Sequence, residues 1–193
     1  MSFFNRIGDD ALTRAGVANG NLMSVRAIAH HIAGHEFARA TKEKAMPMFE
    51  PLNPNYEEQL RQGFASQSVM ETIGAYLLNV APGQVEIGLD FSADLTQQHG
   101  YLHAGIVTAI VDSACGFAAY SLMPPGSGVL TVEYKVNLLA PARGEKFIAT
   151  GRVIKPGRTL TVCAGEVYAI EGEARRQIAM MQATMIRLAE KEA

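Results

Sequence analysis

Asp112 is the only charged side chain between Asp94 and Glu133. It stands within His103–Met123, which reads HAGIVTAIVDSACGFAAYSLM and is apolar on nearly every face of a helix. An ionised carboxylate buried without partners costs several kcal/mol. Asp112 therefore has partners, a raised pKa or a chemical task. The task open to such a carboxylate is to take a proton or to attack as a nucleophile. The structural alternative is an Asp bonded to backbone groups or capping a neighbouring element. A second group of residues opens the same helix: Gln97-Gln98-His99-Gly100-Tyr101-Leu102-His103-Ala104-Gly105. Glycines let backbone approach a ligand closely. Unpaired N–H groups at a helix N-terminus, aided by the helix dipole, stabilise a developing oxyanion. Read alone, this segment is equally an ordinary loop leading into a helix. Ala104 and Asp112 are eight residues apart, about 12 Å along the axis at 1.5 Å per residue. One helix cannot bring both to one carbonyl group. Two antiparallel helices can, the N-terminus of each facing the Asp112 of the other, in a site shared between subunits.

A helix that is apolar all round must be buried all round. Its small residues (Ala109, Ala114, Gly116, Ala118, Ala119) allow close approach, and Pro124-Pro125-Gly126 ends it. Upstream, 55–67 reads as one short helix, with Asn55 as cap, Glu57 and Glu58 in the first turn, and Leu60 and Phe64 on one face. Apolar stretches 73–80 and 84–91 are joined by Ala81-Pro82-Gly83-Gln84, which predicts a type II turn and a hairpin. In the second stretch Val85, Ile87, Leu89 and Phe91 alternate with polar residues or glycine, the period of a half-buried strand. Downstream, Leu130, Val132, Tyr134, Val136 and Leu138 alternate with Thr131, Glu133, Lys135 and Asn137. This predicts a strand over 129–139, and strict alternation puts Thr131 on the face away from Tyr134 and Val136. Stretches 145–154, 159–170 and 176–188 are also β-like. The short separations at Pro141–Gly144, Pro156-Gly157 and Glu171-Gly172 predict an antiparallel meander of these four strands. The fold class is α+β: a curved antiparallel sheet of about six strands wrapped around one central helix. One sheet leaves part of that helix uncovered, so a second subunit is expected to cover it.

Composition bounds the rest. The chain has 193 residues, with 48% hydrophobic and 19% charged side chains, which fits a packed core and excludes a disordered chain. A net charge of −2 offers no basic field for nucleic acid. Two cysteines, Cys115 and Cys163, both in apolar stretches, read as buried reduced thiols of a cytoplasmic protein. No membrane span and no secretory signal are expected. Residues 1–47 carry six basic and four acidic side chains, net +2, against −4 on 48–193. They form an N-terminal helical extension of unknown role, with an amphipathic helix over 21–44; an organelle presequence is an alternative that Asp9 and Asp10 weaken. His31 and His35 are spaced as metal ligands can be, but the full H-E-x-x-H pattern is missing, so no metal site is expected. Pro47, Pro51 and Pro54 lead into the main domain, 48–193.

Residues 100–119, GYLHAGIVTAIVDSACGFAA, resemble the signature of hotdog-fold acyl-CoA thioesterases of the phenylacetate-pathway type. The family pattern G-x-x-H-G/A-G, six residues, then Asp falls on Gly100, His103, Ala104, Gly105 and Asp112. The resemblance extends over about 48–193, through Val129–Pro141 and the Lys155-Pro156-Gly157-Arg158-Thr159-Leu160 turn. It implies a hotdog fold and hydrolysis of acyl-CoA to a free acid and CoA, with CoA as part of the substrate and no cofactor. It implies that Asp112 is the base or nucleophile and that Ala104 supplies the oxyanion-binding N–H. Gln97 takes the place of an asparagine near the thioester, and Thr131 that of an assisting serine. His103 and Gly105 belong to the substrate-binding loop, and Gly157 and Arg158 resemble positions near the CoA nucleotide, where arginine can pair with phosphate. The implied assembly is a homodimer, further paired into a homotetramer. Two other readings compete: a non-catalytic acyl-CoA sensor with residues 1–47 as its output, and a hotdog hydratase or dehydratase, whose His-Phe-x-x-x-Pro stretch is missing. No G-x-S-x-G occurs for serine hydrolysis.

Overall fold

The structure, a computed structural model, describes residues 49–189. The helix expected over 21–44 and the His31/His35 pair lie outside them. The elements are α1 (Tyr56–Ala65), α2 (Ser68–Ile73), β1 (Ala75–Ala81), β2 (Gln84–Asp90), a 3-10 turn (Ala93–Leu95), α3 (Ala104–Tyr120), β3 (Gly128–Leu138), β4 (Lys146–Lys155), β5 (Leu160–Glu171) and β6 (Ala174–Leu188). The helix expected over 55–67 forms as α1, and it is followed by a second short helix, α2, that was not expected. Gln67 is extended, with ψ 95°, and starts this second helix, which Gly74 closes in the left-handed region at φ 73°. The Pro82-Gly83 hairpin forms as expected, with Gly83 at φ 78°. No helix among the described residues is long and apolar enough to cross a membrane.

All strand pairs are antiparallel, in the order β1-β2-β4-β5-β6-β3. The curved six-stranded sheet around one helix is the hotdog arrangement. The meander is confined to β4, β5 and β6; β3 lies at the far edge beside β6 and does not pair with β4. Residues 139–145 are therefore a link across the sheet end rather than a hairpin turn. Leu139 and Ala140 N–H groups donate to the Ile178 carbonyl, and Glu145 N–H to Ile170, so the link is hydrogen-bonded to β6 and then to β5. Three strand spacings are about 14 Å, well within the reach of seven residues. Turn-forming residues in sequence look the same whether they close a hairpin or carry this crossing.

Helix α3 crosses the inner face of the sheet at very close range because two glycines seat it. Gly151 and Gly165 are cross-strand partners on β4 and β5. A Cβ on Gly151 would lie 2.2 Å from the Ala114 carbonyl carbon, and one on Gly165 would lie 2.4 Å from Val111 Cγ2. Around this seat Ile110, Val111, Ala114 and Ala118 pack with Phe147, Ala149, Val167 and Met185, all fully buried. Burial is not all round, however. Ala104 and Gly105 are exposed, and Thr108, Ala109, Asp112, Ser113 and Gly116 are half-buried, leaving an open stripe along the helix. Beside it, the apolar side chains Tyr134 and Leu138 of edge strand β3 are 47% and 53% exposed. A monomer thus leaves uncovered the part of the helix that the sequence assigned to a second subunit.

Strict alternation fails on β3. The register shifts between Thr131 and Glu133: Thr131 pairs with Met185, while Glu133 pairs with Thr184 and Tyr134 with Ala183. Val132 is the extra residue of a bulge. Met185 and Ala183 both face the core, so Thr131 shares the helix-facing side with Tyr134, Val136 and Leu138. The expectation that Thr131 points to the opposite face is corrected by this one inserted residue.

Candidate active site

The bulge brings Thr131 to the helix. Its hydroxyl donates a 2.9 Å hydrogen bond to Asp112 Oδ1. Burial pushes the Asp112 carboxyl above its ordinary pKa, and the Thr131 hydrogen bond pulls part of the way back. The two residues line a cleft of about 80 Å³ together with Gln67, Ser113 and Gly116. Gln67 and Ser113 were not picked out from the sequence. Ser113 follows Asp112 on an apolar helix, a signal that was available. Gln67 reaches the cleft only through the packing of α2 against the rest of the fold.

The other end of α3 has a different chemistry. His103 is the N-cap: its Nδ1 accepts the Gly105 N–H at 2.9 Å, and its carbonyl accepts those of Ile106 and Val107 at 3.0 and 3.2 Å. The Ala104 N–H has no partner among the described residues. Of the first helical N–H groups it is the one left to a ligand. His103 thus holds the loop, and Gly105 serves it by space: a Cβ there would lie 3.0 Å from His103 Nδ1. The Gly105 N–H itself is consumed by the cap. Gln97 lies beside Ala104 in a second cleft, of about 460 Å³, with Tyr101, Val107, Leu138 and Pro141 among its walls. The Gln97 amide oxygen accepts the His99 N–H, which leaves its NH₂ as a second donor. The loop is braced by Gly100, at φ 80°, and by the bonds of Leu102 N–H to Ala142 and His103 N–H to Leu95.

Asp112 with Thr131, and Ala104 with Gln97, therefore occupy separate clefts of one chain. Gly157 and Arg158 lie elsewhere again, in a groove of about 370 Å³ at the C-terminal end of α3, over Leu122 and Met123. Gly157 is required by its turn, since a Cβ would lie 2.1 Å from the Leu160 carbonyl oxygen. A second guanidinium, Arg187 of β6, lines the same groove. It was missed because nothing in the sequence joins position 187 to position 158; the link is the Arg187 N–H bond to the Thr159 carbonyl. Both cysteines are free and buried, and burial raises both thiols, Cys163 to about 12. Neither is a thiolate at neutral pH.

The family model of the thioesterase superfamily matches residues 99–175, which include the helix and both of its ends. A crystal structure of a thioesterase family protein from Silicibacter pomeroyi is similar at 51% sequence identity and TM-score 0.69, covering 69% of this chain and 98% of that one. Human acyl-coenzyme A thioesterase 13 is 31% identical over 85 residues, 44% of this chain and 60% of that protein. The 1,4-dihydroxy-2-naphthoyl-CoA hydrolase of Listeria monocytogenes is 28% identical over 94 residues, 49% of this chain and 76% of that protein.

Proposed function

The chain belongs to the thioesterase superfamily, and from that premise we propose that it hydrolyses acyl-CoA thioesters to free acid and CoA in a homodimer whose two active sites are each built from both copies. The observation that carries this is the open stripe of α3. It presents an unpaired N–H at Ala104 and a carboxylate at Asp112, in separate clefts of one protomer. An antiparallel second copy laid on the stripe places the Ala104 and Gln97 donors of one protomer opposite the Asp112 of the other. It also covers the apolar side chains of β3.

The chemistry follows from these groups. Ionised Asp112 takes a proton from water as the water oxygen adds to the thioester carbon, or adds to that carbon itself. The carbonyl oxygen becomes an oxyanion that accepts hydrogen bonds from Ala104 N–H and the Gln97 amide. Collapse of the tetrahedral centre breaks the C–S bond and expels the CoA thiolate, which takes up a proton. In the direct-attack route, water then cleaves the Asp112 anhydride. Thr131 positions the carboxylate. Arg158 and Arg187 supply positive charge for the CoA phosphates in a groove with an apolar floor. CoA is part of the substrate and no cofactor takes part; a pairing of dimers completes a homotetramer. The relatives named as CoA-thioester hydrolases support the reaction class.

The test is release of free thiol from a panel of acyl-CoAs by the wild type and by Asp112→Asn. Turnover falls by about 10²–10⁴ in the variant, the usual size of a general-base contribution. Near-normal turnover in Asp112→Asn, or no thiol release from any acyl-CoA by the wild type, overturns the proposal.

A further inference from the structure

The Asp112 cleft carries polar groups for which hydrolysis itself has no use. Gln67 and Ser113 line it beside Asp112 and Thr131. They are 46 residues apart in the chain, yet Ser113 Oγ lies 3.5 Å from Gln67 Oε1. That is well beyond the roughly 2.7–2.8 Å of a good O–H···O bond. Ser113 donates this long bond to Gln67, and a third polar atom placed between them can replace it. Gln67 is held there by its backbone: its N–H donates to the Phe64 carbonyl, and its own carbonyl accepts from Met70 at the start of α2. Among the described residues its side-chain NH₂ has no partner. Gly116, one turn beyond Asp112 on the same stripe, lines the cleft too, and a Cβ at that position would meet nothing within 4 Å. In a single protomer the space over Gly116 is open and floored by bare helix backbone. It is also small, about 80 Å³ against 460 Å³ for the cleft beside Ala104.

Resting on the thioesterase reading above, we infer that this cleft receives the acyl group and selects a short acyl chain bearing a hydroxyl, which bridges Gln67 and Ser113 over Gly116. The bridging hydroxyl donates to Gln67 Oε1 and accepts from Ser113 Oγ or the Gln67 NH₂. It replaces one long contact with two bonds of ordinary length. A saturated chain in the same place faces these polar groups with methylene and leaves the Gln67 NH₂ without a partner. That penalty lets a site built for a hydroxyl reject the analogue lacking it. A long saturated chain is disfavoured twice, by polarity and by volume.

The experiment compares butyryl-CoA with 2-, 3- and 4-hydroxybutyryl-CoA and lauroyl-CoA, measured as kcat/KM by thiol release. In the wild type the best hydroxylated substrate exceeds butyryl-CoA by at least about tenfold, with lauroyl-CoA the poorest. In Gln67→Leu that ratio collapses toward one. Ser113→Ala lowers it in the same direction and serves if Gln67→Leu does not fold. A wild type that favours butyryl-CoA or lauroyl-CoA, or a ratio unchanged in both variants, overturns the inference and leaves the thioesterase reading standing. Hydrolysis of none of the five by the wild type overturns the inference, and near-normal turnover in Asp112→Asn overturns that reading and the inference with it.

Discussion

Two opposing effects act on the Asp112 carboxyl: burial raises its pKa, and the Thr131 hydroxyl lowers it. The proposed chemistry needs the ionised form, so kcat/KM is expected to rise with pH on an acid limb shifted upward from the ordinary Asp value. Removing the hydrogen bond in Thr131→Val moves that limb to still higher pH, and Thr131→Ser returns it; a pH–rate profile of the three proteins measures both. Stability follows from the same shift. The folded state holds the Asp112 proton more tightly than the unfolded state, so stability falls as pH rises from below the unfolded pKa through the folded one. Above the folded pKa the penalty is complete. Asp112→Asn keeps an acceptor for Thr131 and removes the charge, so it melts higher than the wild type at neutral pH, and the difference shrinks in acid. Thermal melts at pH 7 and at pH 3 check this. Asp112 was legible in the sequence because a lone charge on an apolar helix has no local explanation. The spatial partnerships of Thr131, Gln67 and Arg187 were not legible. They depend on a bulge and on packing between distant segments, neither of which leaves a local pattern.

At the scale of elements, the paired glycines Gly151 and Gly165 set how deeply α3 sits, and with it the height of Asp112 above the sheet. Gly151→Ala forces a methyl group into the Ala114 backbone, which cannot give way as a side-chain tip would. The expected loss is about 1–3 kcal/mol of folding stability, read from urea unfolding, together with lower turnover as the helix lifts. Strand periods outside β3, the Pro-Gly hairpin and a helix end ahead of Pro124 were readable, since each is a local signal. Strand order was not. Alternation says which face a residue takes but not which strand lies beside it, and the link at 139–145 carries the same residue types as a turn. Helix α2 was not legible either, because at six residues it is too short to show a helical period.

For the whole molecule, the proposed assembly rests on the eight-residue separation of Ala104 and Asp112. The proposed dimer predicts that Asp112→Asn and Gln97→Ala protomers, each impaired alone, regain activity when mixed. In each mixed dimer one site pairs an intact Asp112 with an intact Gln97 loop, and the other site carries both lesions. Thiol release from purified, doubly tagged mixed dimers measures this, and no gain over either parent counts against the shared site. The same geometry bears on inheritance. Beside a normal chain, a chain with either lesion leaves one of the two sites whole, so each lesion alone is recessive in character. A chain carrying both lesions spoils both sites of every dimer it enters. In the proposed dimer, two alleles that are each recessive, brought together by recombination onto one gene copy, thereby become dominant.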